Sequence, residues 1–297
     1  MDVVFVTPAN SKKIYQDLAS EYTAIEPPTW SLLLAESCRS KGYKVSIIDC
    51  NAEGLSLDQT YEKIQKLNPK LICFVVYGQN VNAGTTSMSG AVYLSEYLKS
   101  RNNNFKIGYV GSHVQALPEL TLNKEKSIDF VFTNEGVYAL QNILKKDTFS
   151  IEELRTVKGI VFRNQNNKPE FTPAEKIVPQ ERMDIDLPGY AWDLLPYNKK
   201  PLDLYRSPYW HANYQKENRS PYAALQTSLG CQFKCEFCMI NMINRDDEES
   251  IGVAGNYSKM RYWSTDFIIK EFDKLINMGV KTIRITDEMF LLNPKYY

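Results

Sequence analysis

Three cysteines with the spacing Cys-x3-Cys-x2-Cys are the residues best suited to chemistry: Cys231, Cys235 and Cys238. This spacing puts three thiolates on one tight loop, and thiolates are preferred ligands of iron–sulfur clusters and of zinc. A closed structural zinc site needs a fourth protein ligand, and the sole candidate is His211, upstream across a proline. The pattern therefore favours a [4Fe–4S] cluster with one iron open to a substrate or cofactor, and zinc is the alternative.

The other three cysteines are scattered through apolar, strand-like surroundings: Cys38, Cys50 and Cys73. A buried free cysteine behaves as a small hydrophobic residue, so these three are predicted to be inert. In a reducing cytosol the clustered thiols are typical of metal binding or catalysis rather than of a disulfide framework.

The elements that precede the cysteine loop alternate between strand and helix signals. Apolar runs predict strands at 3–6, 45–49, 71–77, 106–110 and 129–132, and helical periodicity predicts helices at 30–41, 57–67, 86–99 and 137–146. Five strands joined by helices predict an α/β fold for residues 1–148, with a flavodoxin-like doubly wound parallel sheet.

Such sheets bind ligands beyond the carboxyl ends of their strands, where the strand order reverses. In the flavodoxin-like order this switch point lies between strands one and three, which here end at Thr7 and at Tyr77-Gly78. Two further loops share this rim, Gly111-Ser112-His113 and Asn134-Glu135-Gly136, and their glycines permit close backbone approach. The small and amide side chains of the rim suit a large neutral ligand with many hydrogen-bonding groups.

Two common ligand classes do not fit this rim. The dinucleotide motif Gly-x-Gly-x-x-Gly is absent after the first strand. Gly78 and Gly84 are followed by Thr85-Thr86, but the spacing is one residue too long for a P-loop and the phosphate-binding lysine is missing. The rim is therefore predicted to bind neither a dinucleotide nor a nucleoside triphosphate.

Two long connections are predicted to be ordered. The connection from Thr7 to Thr29 exceeds the usual strand-to-helix length, and its aromatic residues and prolines indicate a lid. Residues 149–220 form a linker that begins with a β-hairpin and is then punctuated by prolines, which exclude long helices. The linker carries apolar side chains that need cover, so we expect it to pack on a domain: Tyr190, Trp192, Leu194 and Leu195.

Residues 221–297 form the third predicted unit. Strands are predicted at 223–227 and 281–285, with a helix at 265–278 between them. The helix carries five apolar residues that are predicted to form one core-facing stripe: Ile268, Ile269, Phe272, Leu275 and Ile276. Thr286-Asp287-Glu288 follows the last strand and brings two carboxylates to its end.

The composition restricts the partners. The 297 residues hold 35 Lys and Arg against 35 Asp and Glu, and a formal net charge of zero argues against broad binding to nucleic acid or to an anionic membrane. No apolar run approaches the roughly 20 residues that cross a bilayer. No basic segment precedes an apolar stretch near Met1, so a secretory signal is not expected and the cytoplasm is the predicted location.

The cysteine loop and its surroundings resemble a known family. Cys-x3-Cys-x2-Cys with an aromatic residue, Phe237, just before the last cysteine resembles the radical S-adenosylmethionine signature. The whole chain is similar to the cobalamin-binding subfamily of these enzymes. The segments that carry this similarity are Gly111-Ser112-His113-Val114, 129–136, 159–163, Leu187-Pro188, 227–231, Arg261, Asp287-Glu288 and Phe290.

The resemblance implies cofactors and the residues that bind them. Cys231, Cys235 and Cys238 would hold a [4Fe–4S] cluster, whose open iron would bind S-adenosylmethionine. Further contacts to S-adenosylmethionine are expected from Phe237, Thr286, Asp287 and Glu288. Cobalamin is expected in the first domain, with contacts from Thr7, Tyr77, Gly78, Gly111, Ser112, Glu135 and Gly136.

The resemblance also implies a reaction. Reductive cleavage of S-adenosylmethionine would give a 5′-deoxyadenosyl radical, followed most commonly by methyl transfer to an unactivated carbon of a small-molecule substrate. The electron donor would be a flavodoxin or a ferredoxin. A radical cyclase or rearrangement enzyme of the same family is the alternative within it. A non-catalytic cobalamin-binding module with a metal-stabilised tail is the alternative from another class.

Two departures of this sequence from the family pattern each lead to an expectation. The Asp-x-His-x-x-Gly motif that donates a histidine to cobalt in many cobalamin proteins is absent, so base-off binding without a histidine ligand is expected. A radical-type partial (β/α) barrel repeats strand and helix about six times, whereas residues 221–297 hold about two such units. The third unit is therefore expected to be the start of that barrel, in a C-terminally incomplete chain.

Overall fold

A seven-stranded sheet forms the centre of the first part of the protein, in a computed structural model that describes residues 1–9, 16–77, 84–235, 237–240, 245 and 259–296. Its strands are β1 (Val3–Thr7), β2 (Val45–Asp49), β3 (Leu71–Val75), β4 (Ile107–Val110), β5 (Phe130–Phe132), β6 (Ile160–Arg163) and β7 (Pro169–Phe171). The strand order is β2-β1-β3-β4-β5-β6-β7, with the first five strands parallel. This order confirms the flavodoxin-like sheet and puts the switch point between β1 and β3.

Helices cover both faces of this sheet. They are α1 (Leu18–Glu21), α2 (Thr29–Ser40), α3 (Cys50–Glu53), α4 (Leu57–Leu67), α5 (Gly84–Arg101), α6 (Ser112–Ala116), α7 (Pro118–Lys124), α8 (Val137–Leu144), α9 (Ile151–Leu154) and α10 (Met183–Asp186). Alternate residues of β1 enter opposite cores, since Phe5 packs in one apolar cluster and Val4 in the other. None of the described helices is both long and apolar enough to span a membrane.

The end signals of α4 show how local sequence sets these helices. Ser56 accepts a hydrogen bond from the backbone N–H of Gln59, and the Gln59 side chain accepts one from the backbone N–H of Ser56, which together form a capping box. The helix ends at Asn68, which adopts the left-handed conformation with φ +42°. The predicted helix at 57–67 is therefore confirmed at both ends.

The hairpin predicted at the start of the linker belongs to the same sheet. β6 pairs antiparallel with β5, and β7 pairs antiparallel with β6. Val161 and Phe162 are fully buried. The hairpin thus covers the edge that β5 would otherwise expose, which an open parallel sheet requires.

The rest of the linker packs on the first unit, as predicted from its apolar residues. Tyr190, Trp192 and Leu195 are buried in the core cluster that also contains Phe5, and Leu194 packs partly buried against it. The linker forms short helical turns, among them α10, as its prolines require.

Two linker arginines hold the described part of the predicted lid, residues 16–28. Arg219 is 2% exposed, and its guanidinium donates to the carbonyls of Thr23 at 2.8 Å and Ser207 at 3.0 Å. Arg206 donates to the carbonyls of Ala19 at 2.9 Å and Thr23 at 3.1 Å. Main-chain carbonyls that a loop would otherwise leave unsatisfied are thus bound to side chains, which orders this part of the connection.

The third unit contains β8 (Tyr222–Leu225), β9 (Ser228–Gly230), β10 (Met260–Tyr262), α11 (Thr265–Asn277) and β11 (Thr282–Ile285). β8 and β11 pair in parallel around α11, while β9 and β10 form an antiparallel pair. The predicted order of strand, helix and strand is therefore confirmed, and its assignment to the start of a barrel stays a prediction. The strand predicted at 223–227 ends at Leu225, and the chain then enters β9.

The apolar stripe predicted on α11 is correct for three of its five residues. Ile268 and Leu275 are buried and Phe272 packs partly buried against the same core, but Ile269 is 56% exposed and Ile276 is 60% exposed. The buried face of the helix instead includes Glu271, which is 1% exposed and accepts a hydrogen bond from Trp192 Nε1 at 3.0 Å. Glu271 thus occupies a buried position on α11 that the apolar pattern did not predict, and it makes a polar contact to the linker there.

Asp186 of α10 ties the linker to the first unit, and its replacement by asparagine is expected to destabilise the protein. Its carboxylate accepts two hydrogen bonds from Arg182, both at 2.9 Å, one from Tyr138 at 2.7 Å and one from Lys41 at 3.1 Å. The Arg182 guanidinium holds the pKa of Asp186 well below its usual range. Because Arg182 and Lys41 remain partly solvated, we expect a loss of about 2 kcal/mol.

The pH dependence of this loss has a definite sign. A lowered pKa in the folded state gives stability that is present above the unfolded pKa of about 3.9 and is lost as the pH falls below it. Denaturant unfolding should therefore show a gap between wild type and D186N at pH 7 that narrows below pH 4. The exposed Asp147 provides a control, since D147N should match wild type at both pH values. A gap that persists unchanged at low pH would rule out the ion pairs as its cause.

Candidate functional site

The rim predicted for cobalamin lies along the carboxyl edge of the parallel strands. Thr7 ends β1, Tyr77 follows β3, Gly111 follows β4, and Glu135 and Gly136 follow β5. Since these strands are neighbours in the sheet, the rim is continuous. The Thr7 hydroxyl is buried and has no hydrogen-bond partner among the described residues, so it is a polar atom at the switch point that a ligand can satisfy.

Gly111 and Ser112 form the tightest part of this rim. Gly111 has φ +153°, and a Cβ on it would lie 2.3 Å from the carbonyl oxygen of Val76. The Ser112 hydroxyl lies 2.1 Å from where a Cβ of Gly84 would be, and Ser112 is fully buried beneath the start of α5. Gly111 and Gly84 therefore have no room for a Cβ, because the loop after β4 packs closely on Val76 and the start of α5 packs closely on Ser112. Gly78, also predicted here, lies outside the described residues.

Tyr77 joins the rim to the cysteine loop. Its hydroxyl accepts a hydrogen bond from Gln115 Nε2 at 2.8 Å, and its ring meets Trp30 edge-on with 5.3 Å between centroids. Burial raises the pKa of Tyr77, so the phenol stays neutral. On its other side Tyr77 packs against the small apolar cluster of Cys231 and Ile240. The cysteine loop thus lies directly against the end of β3.

His113 follows Ser112 at the start of α6 and is the histidine nearest in sequence to the predicted rim. Its Nδ1 lies 3.0 Å from the hydroxyl of Thr85, and burial lowers the pKa of His113. The ring is therefore neutral near pH 7 and already has a hydrogen-bonding partner. The expectation that no histidine ligand to cobalt comes from this loop stays a prediction.

The cysteine loop contains three thiols of graded exposure. Cys231 is buried, Cys238 is half-buried and Cys235 is exposed. The backbone N–H of Phe233 donates to Cys231 Sγ at 3.5 Å, and that of Cys238 donates to the carbonyl of Cys235 at 3.1 Å. Phe237, predicted to contact S-adenosylmethionine, is 82% exposed. The loop is therefore open to solvent on the side of Cys235 and Phe237.

The loop fits a thiolate-ligated cluster in its chemistry. Burial raises the pKa of Cys238, and Glu288, Cys231 and Cys235 lie close enough to this thiol to raise its pKa further. A main-chain N–H that donates to a cysteine sulfur is a known way in which proteins support iron–sulfur clusters. Within the described ranges, no three His, Cys, Asp or Glu side chains lie close enough together to form a preassembled metal site.

The residues at the end of β11 divide into two kinds. The Thr286 hydroxyl donates to the carbonyl of Leu225 at 3.1 Å and thus joins β11 to β8. The Asp287 carboxylate accepts three hydrogen bonds, from the backbone N–H and hydroxyl of Thr227 at 2.6 and 2.5 Å and from the hydroxyl of Ser228 at 2.6 Å. These contacts fix the strand that leads into the cysteine loop.

Glu288 differs from its two neighbours. It is half-buried, burial and the adjacent Asp287 raise its pKa, and its carboxylate lies close enough to Cys238 to affect that thiol. Hydrogen bonds to Glu288 are absent from the part of the chain that the structure describes. Of the predicted Thr286-Asp287-Glu288 set, Glu288 is thus the residue with ligand-binding capacity left at the cysteine loop.

Glu135 lies on the rim in sequence, but its carboxylate points to a protein partner. It forms an ion pair with Arg261 of β10 at 2.8 Å, and both side chains are buried. Asn134 beside it donates to the carbonyl of Arg245 at 3.1 Å. The sequence analysis did not predict these contacts to Arg261 and Arg245, or the contact of Gln115, because the residues lie far apart along the chain. No local sequence pattern indicates that a buried acid pairs with Arg261.

The three remaining cysteines are buried, as predicted. Burial raises the pKa of Cys50 to about 12 and raises those of Cys38 and Cys73 even further. At neutral pH these thiols carry no thiolate character, so they are inert as ligands and nucleophiles. The acidic run at 246–249 lies outside the described residues.

Comparison with known sequences shows what the first unit is similar to. Residues 15–144 match the B12 binding domain. An uncharacterized methyltransferase of Pyrococcus horikoshii is 28% identical over 271 residues, which are 91% of this chain and 50% of that relative. The chain therefore spans half the length of the curated relative that it matches.

Comparison with solved structures shows the same fold over the whole chain. The cobalamin-dependent S-adenosylmethionine radical enzyme OxsB, solved with aqua-cobalamin and S-adenosylmethionine, aligns with a TM-score of 0.63 and 17% identity over 100% of this chain and 35% of its own. The radical S-adenosylmethionine methyltransferase TsrM from Kitasatospora setae, solved with tryptophan and an analogue of S-adenosylmethionine, aligns with a TM-score of 0.63 and 13% identity over 98% of this chain and 48% of its own.

Proposed function

We propose that this chain, whose residues 15–144 match a B12 binding domain and whose fold is that of cobalamin-dependent radical S-adenosylmethionine enzymes, contributes both cofactor sites of such an enzyme. The reaction proposed is methyl transfer from cobalamin to an unactivated carbon of a small molecule. The methyltransferase relative and the likeness to TsrM favour methyl transfer over cyclisation or rearrangement. A flavodoxin or a ferredoxin would supply the electron.

One observation carries this proposal. The cysteine loop packs, through Cys231 and Ile240, on Tyr77 at the end of β3, where a flavodoxin-like sheet binds its ligand. A metal-stabilised tail on a cobalamin carrier has no need to lie at the ligand-binding edge. A radical enzyme does, because the group to be transferred must be held within reach of the substrate radical and away from water.

The residues of the chain have separate tasks in this arrangement. Cys231, Cys235 and Cys238 would hold a [4Fe–4S] cluster, which when bound supplies the electron for cleavage of S-adenosylmethionine. The Glu288 carboxylate would bind the ammonium group of S-adenosylmethionine by a charge-assisted hydrogen bond. The exposed ring of Phe237 would cover the adenine.

At the rim, Gly111 keeps the loop after β4 close against Val76, and the buried Thr7 hydroxyl would supply a hydrogen bond to cobalamin. Tyr77 remains neutral and separates the two cofactor sites with an apolar ring. Its ring also excludes water between them, which protects a reactive radical from side reactions.

Anaerobic reconstitution with iron and sulfide, followed by electron paramagnetic resonance of the dithionite-reduced chain, tests the proposal. Addition of S-adenosylmethionine should change the g-values of the reduced cluster, because the ligand binds the open iron directly. The E288Q variant should form the same cluster but need about tenfold more S-adenosylmethionine for that change. Stoichiometric zinc in place of iron, or a cluster signal that S-adenosylmethionine leaves unchanged, would favour the non-catalytic module.

A further inference from the structure

Glu135 lies at the centre of a buried network that joins four parts of the chain. Its carboxylate accepts hydrogen bonds from the backbone N–H of Val178 at 2.6 Å and from Arg261 Nη2 at 2.8 Å. Its carbonyl accepts one from Trp30 Nε1 at 3.2 Å, and Arg261 Nη1 donates to the carbonyl of Val178 at 2.6 Å. The side chains of Glu135 and Arg261 are 1% and 4% exposed. The network thus links α2, the loop after β5, the linker and β10.

We infer that Glu135 and Arg261 are positioning residues that fix the cysteine loop above the carboxyl edge of the B12-binding sheet, and that Glu135 is not a contact to the corrin. Arg261 pairs with Leu229 in the antiparallel pair of β9 and β10, and β9 ends one residue before Cys231. A displacement of Arg261 therefore displaces the start of the cysteine loop. The inference rests on the proposed function, because the sites that the pair aligns are those proposed for cobalamin and the cluster.

Asn134 adds a second attachment at the other end of the loop. Its Nδ2 donates to the carbonyl of Arg245 at 3.1 Å and to the carbonyl of Glu175 at 2.8 Å. Its Oδ1 accepts from the backbone N–H of Gly136 at 3.0 Å, which fixes the orientation of the amide. Two adjacent residues of the β5–α8 loop thus hold the chain at two points after the three cysteines, and Arg261 connects to the segment before them through the pairing of β10 with β9.

The energetics of a buried ion pair make this inference testable. Removal of one partner leaves an unpaired buried charge and is strongly destabilising, whereas replacement of both partners by apolar residues of similar size is often tolerated. A pair that only positions β9 and β10 should be damaged by E135Q, which leaves the Arg261 charge buried and unpaired. It should be partly restored by E135Q combined with R261M, which removes that charge while the new amide oxygen at position 135 can still accept from the N–H of Val178. A carboxylate that contacts a corrin amide would not be restored by a change at position 261.

The experiment compares wild type, E135Q, E135Q/R261M and a control variant, E170Q, by two measurements on the full 297-residue chain without iron. E170Q breaks the ion pair between Arg155 and Glu170, whose side chains are both partly exposed. Glu170 lies in β7 of the seven-stranded sheet. Hydrogen exchange detected by mass spectrometry reports on β9 and β10 and, as a reference, on β1 and β3. Titration with hydroxocobalamin, followed by its visible spectrum, gives the dissociation constant.

In E135Q we expect amide exchange in β9 and β10 to become at least about tenfold faster, with exchange in β1 and β3 unchanged. The reason is that the Glu135–Arg261 pair holds β9 and β10 and does not hold the seven-stranded sheet. The hydroxocobalamin dissociation constant should change less than about threefold. The double variant should recover part of the protection, and E170Q should match wild type throughout.

The opposite pattern would overturn the inference. A hydroxocobalamin affinity about tenfold weaker in E135Q with unchanged exchange would make Glu135 a corrin contact. Unchanged exchange and unchanged affinity would show that the pair positions nothing. If wild type itself binds no hydroxocobalamin, the proposed function fails. The exchange measurement still decides whether the Glu135–Arg261 pair holds β9 and β10.

Discussion

A variant with Cys231, Cys235 and Cys238 all replaced by alanine is expected to lose its iron entirely. Wild type, reconstituted without oxygen, should hold about four irons and four sulfides per chain. No other cysteine can compensate, because Cys38, Cys50 and Cys73 are buried and burial raises the pKa of each of their thiols. Iron and sulfide analysis with the visible spectrum measures the loss.

The matched control replaces the three buried cysteines instead. The triple variant C38A/C50A/C73A removes the same number of thiols from the apolar core and should keep its cluster, with a lower unfolding free energy from the lost packing. If the loop variant retained its iron, or if the core variant lost it, the assignment of the cluster to the loop would be wrong.

The second large effect is expected at Asp287, through the loop that it holds. D287A leaves the backbone N–H of Thr227 and the hydroxyls of Thr227 and Ser228 without their acceptor. Hydrogen bonds to a charged acceptor contribute about 1.5–3 kcal/mol each and are not additive, so we expect a loss of about 3 kcal/mol in unfolding free energy. Cluster content should fall as well, because β9 leads directly into Cys231.

The conservative change separates positioning from ligand binding. In D287N one amide oxygen still accepts from Thr227, and the hydroxyls can rotate to accept from the new NH2 group, so we expect a loss of about 1 kcal/mol. E288Q should leave the unfolding free energy and the iron content unchanged and weaken only the response to S-adenosylmethionine. Equal cluster loss in D287A and E288Q, measured after reconstitution, would refute this division of roles.

Much of the fold follows from apolar patterning in the sequence. The continuous apolar run of β3 requires cover on both faces, and the structure supplies it with two separate cores. The same reasoning predicted that linker aromatics such as Trp192 pack on a domain, and Trp192 lies in a core cluster that contains residues of both the first and the third unit. Apolar patterning also explains the error at α11. Periodicity predicts that Ile269 faces the core, but Ile269 lies at the side of a broad apolar stripe, and the elements that pack on the helix leave that side exposed.

The site was less predictable, because its acidic residues depend on partners distant in the sequence. Glu135 pairs with a residue 126 positions away, and Asp287 accepts from one 60 positions away. Sequence position alone put both carboxylates at ligand-facing edges, and nothing local distinguishes an acid that binds a ligand from one that binds an arginine or a hydroxyl. Glu288 illustrates the converse, since only the folded chain shows that no other described residue forms a hydrogen bond with its carboxylate.

The most direct test of the central claim measures whether the two proposed cofactors lie side by side. The chain is reconstituted with its cluster, loaded with cob(II)alamin and reduced so that both centres carry an unpaired electron, and its electron paramagnetic resonance spectrum is compared with those of singly loaded samples. Because the cysteine loop packs on Tyr77 at the switch point, the account predicts a spectrum split or broadened by interaction between the two spins. A spectrum equal to the sum of the two separate signals, with both cofactors bound, would contradict it.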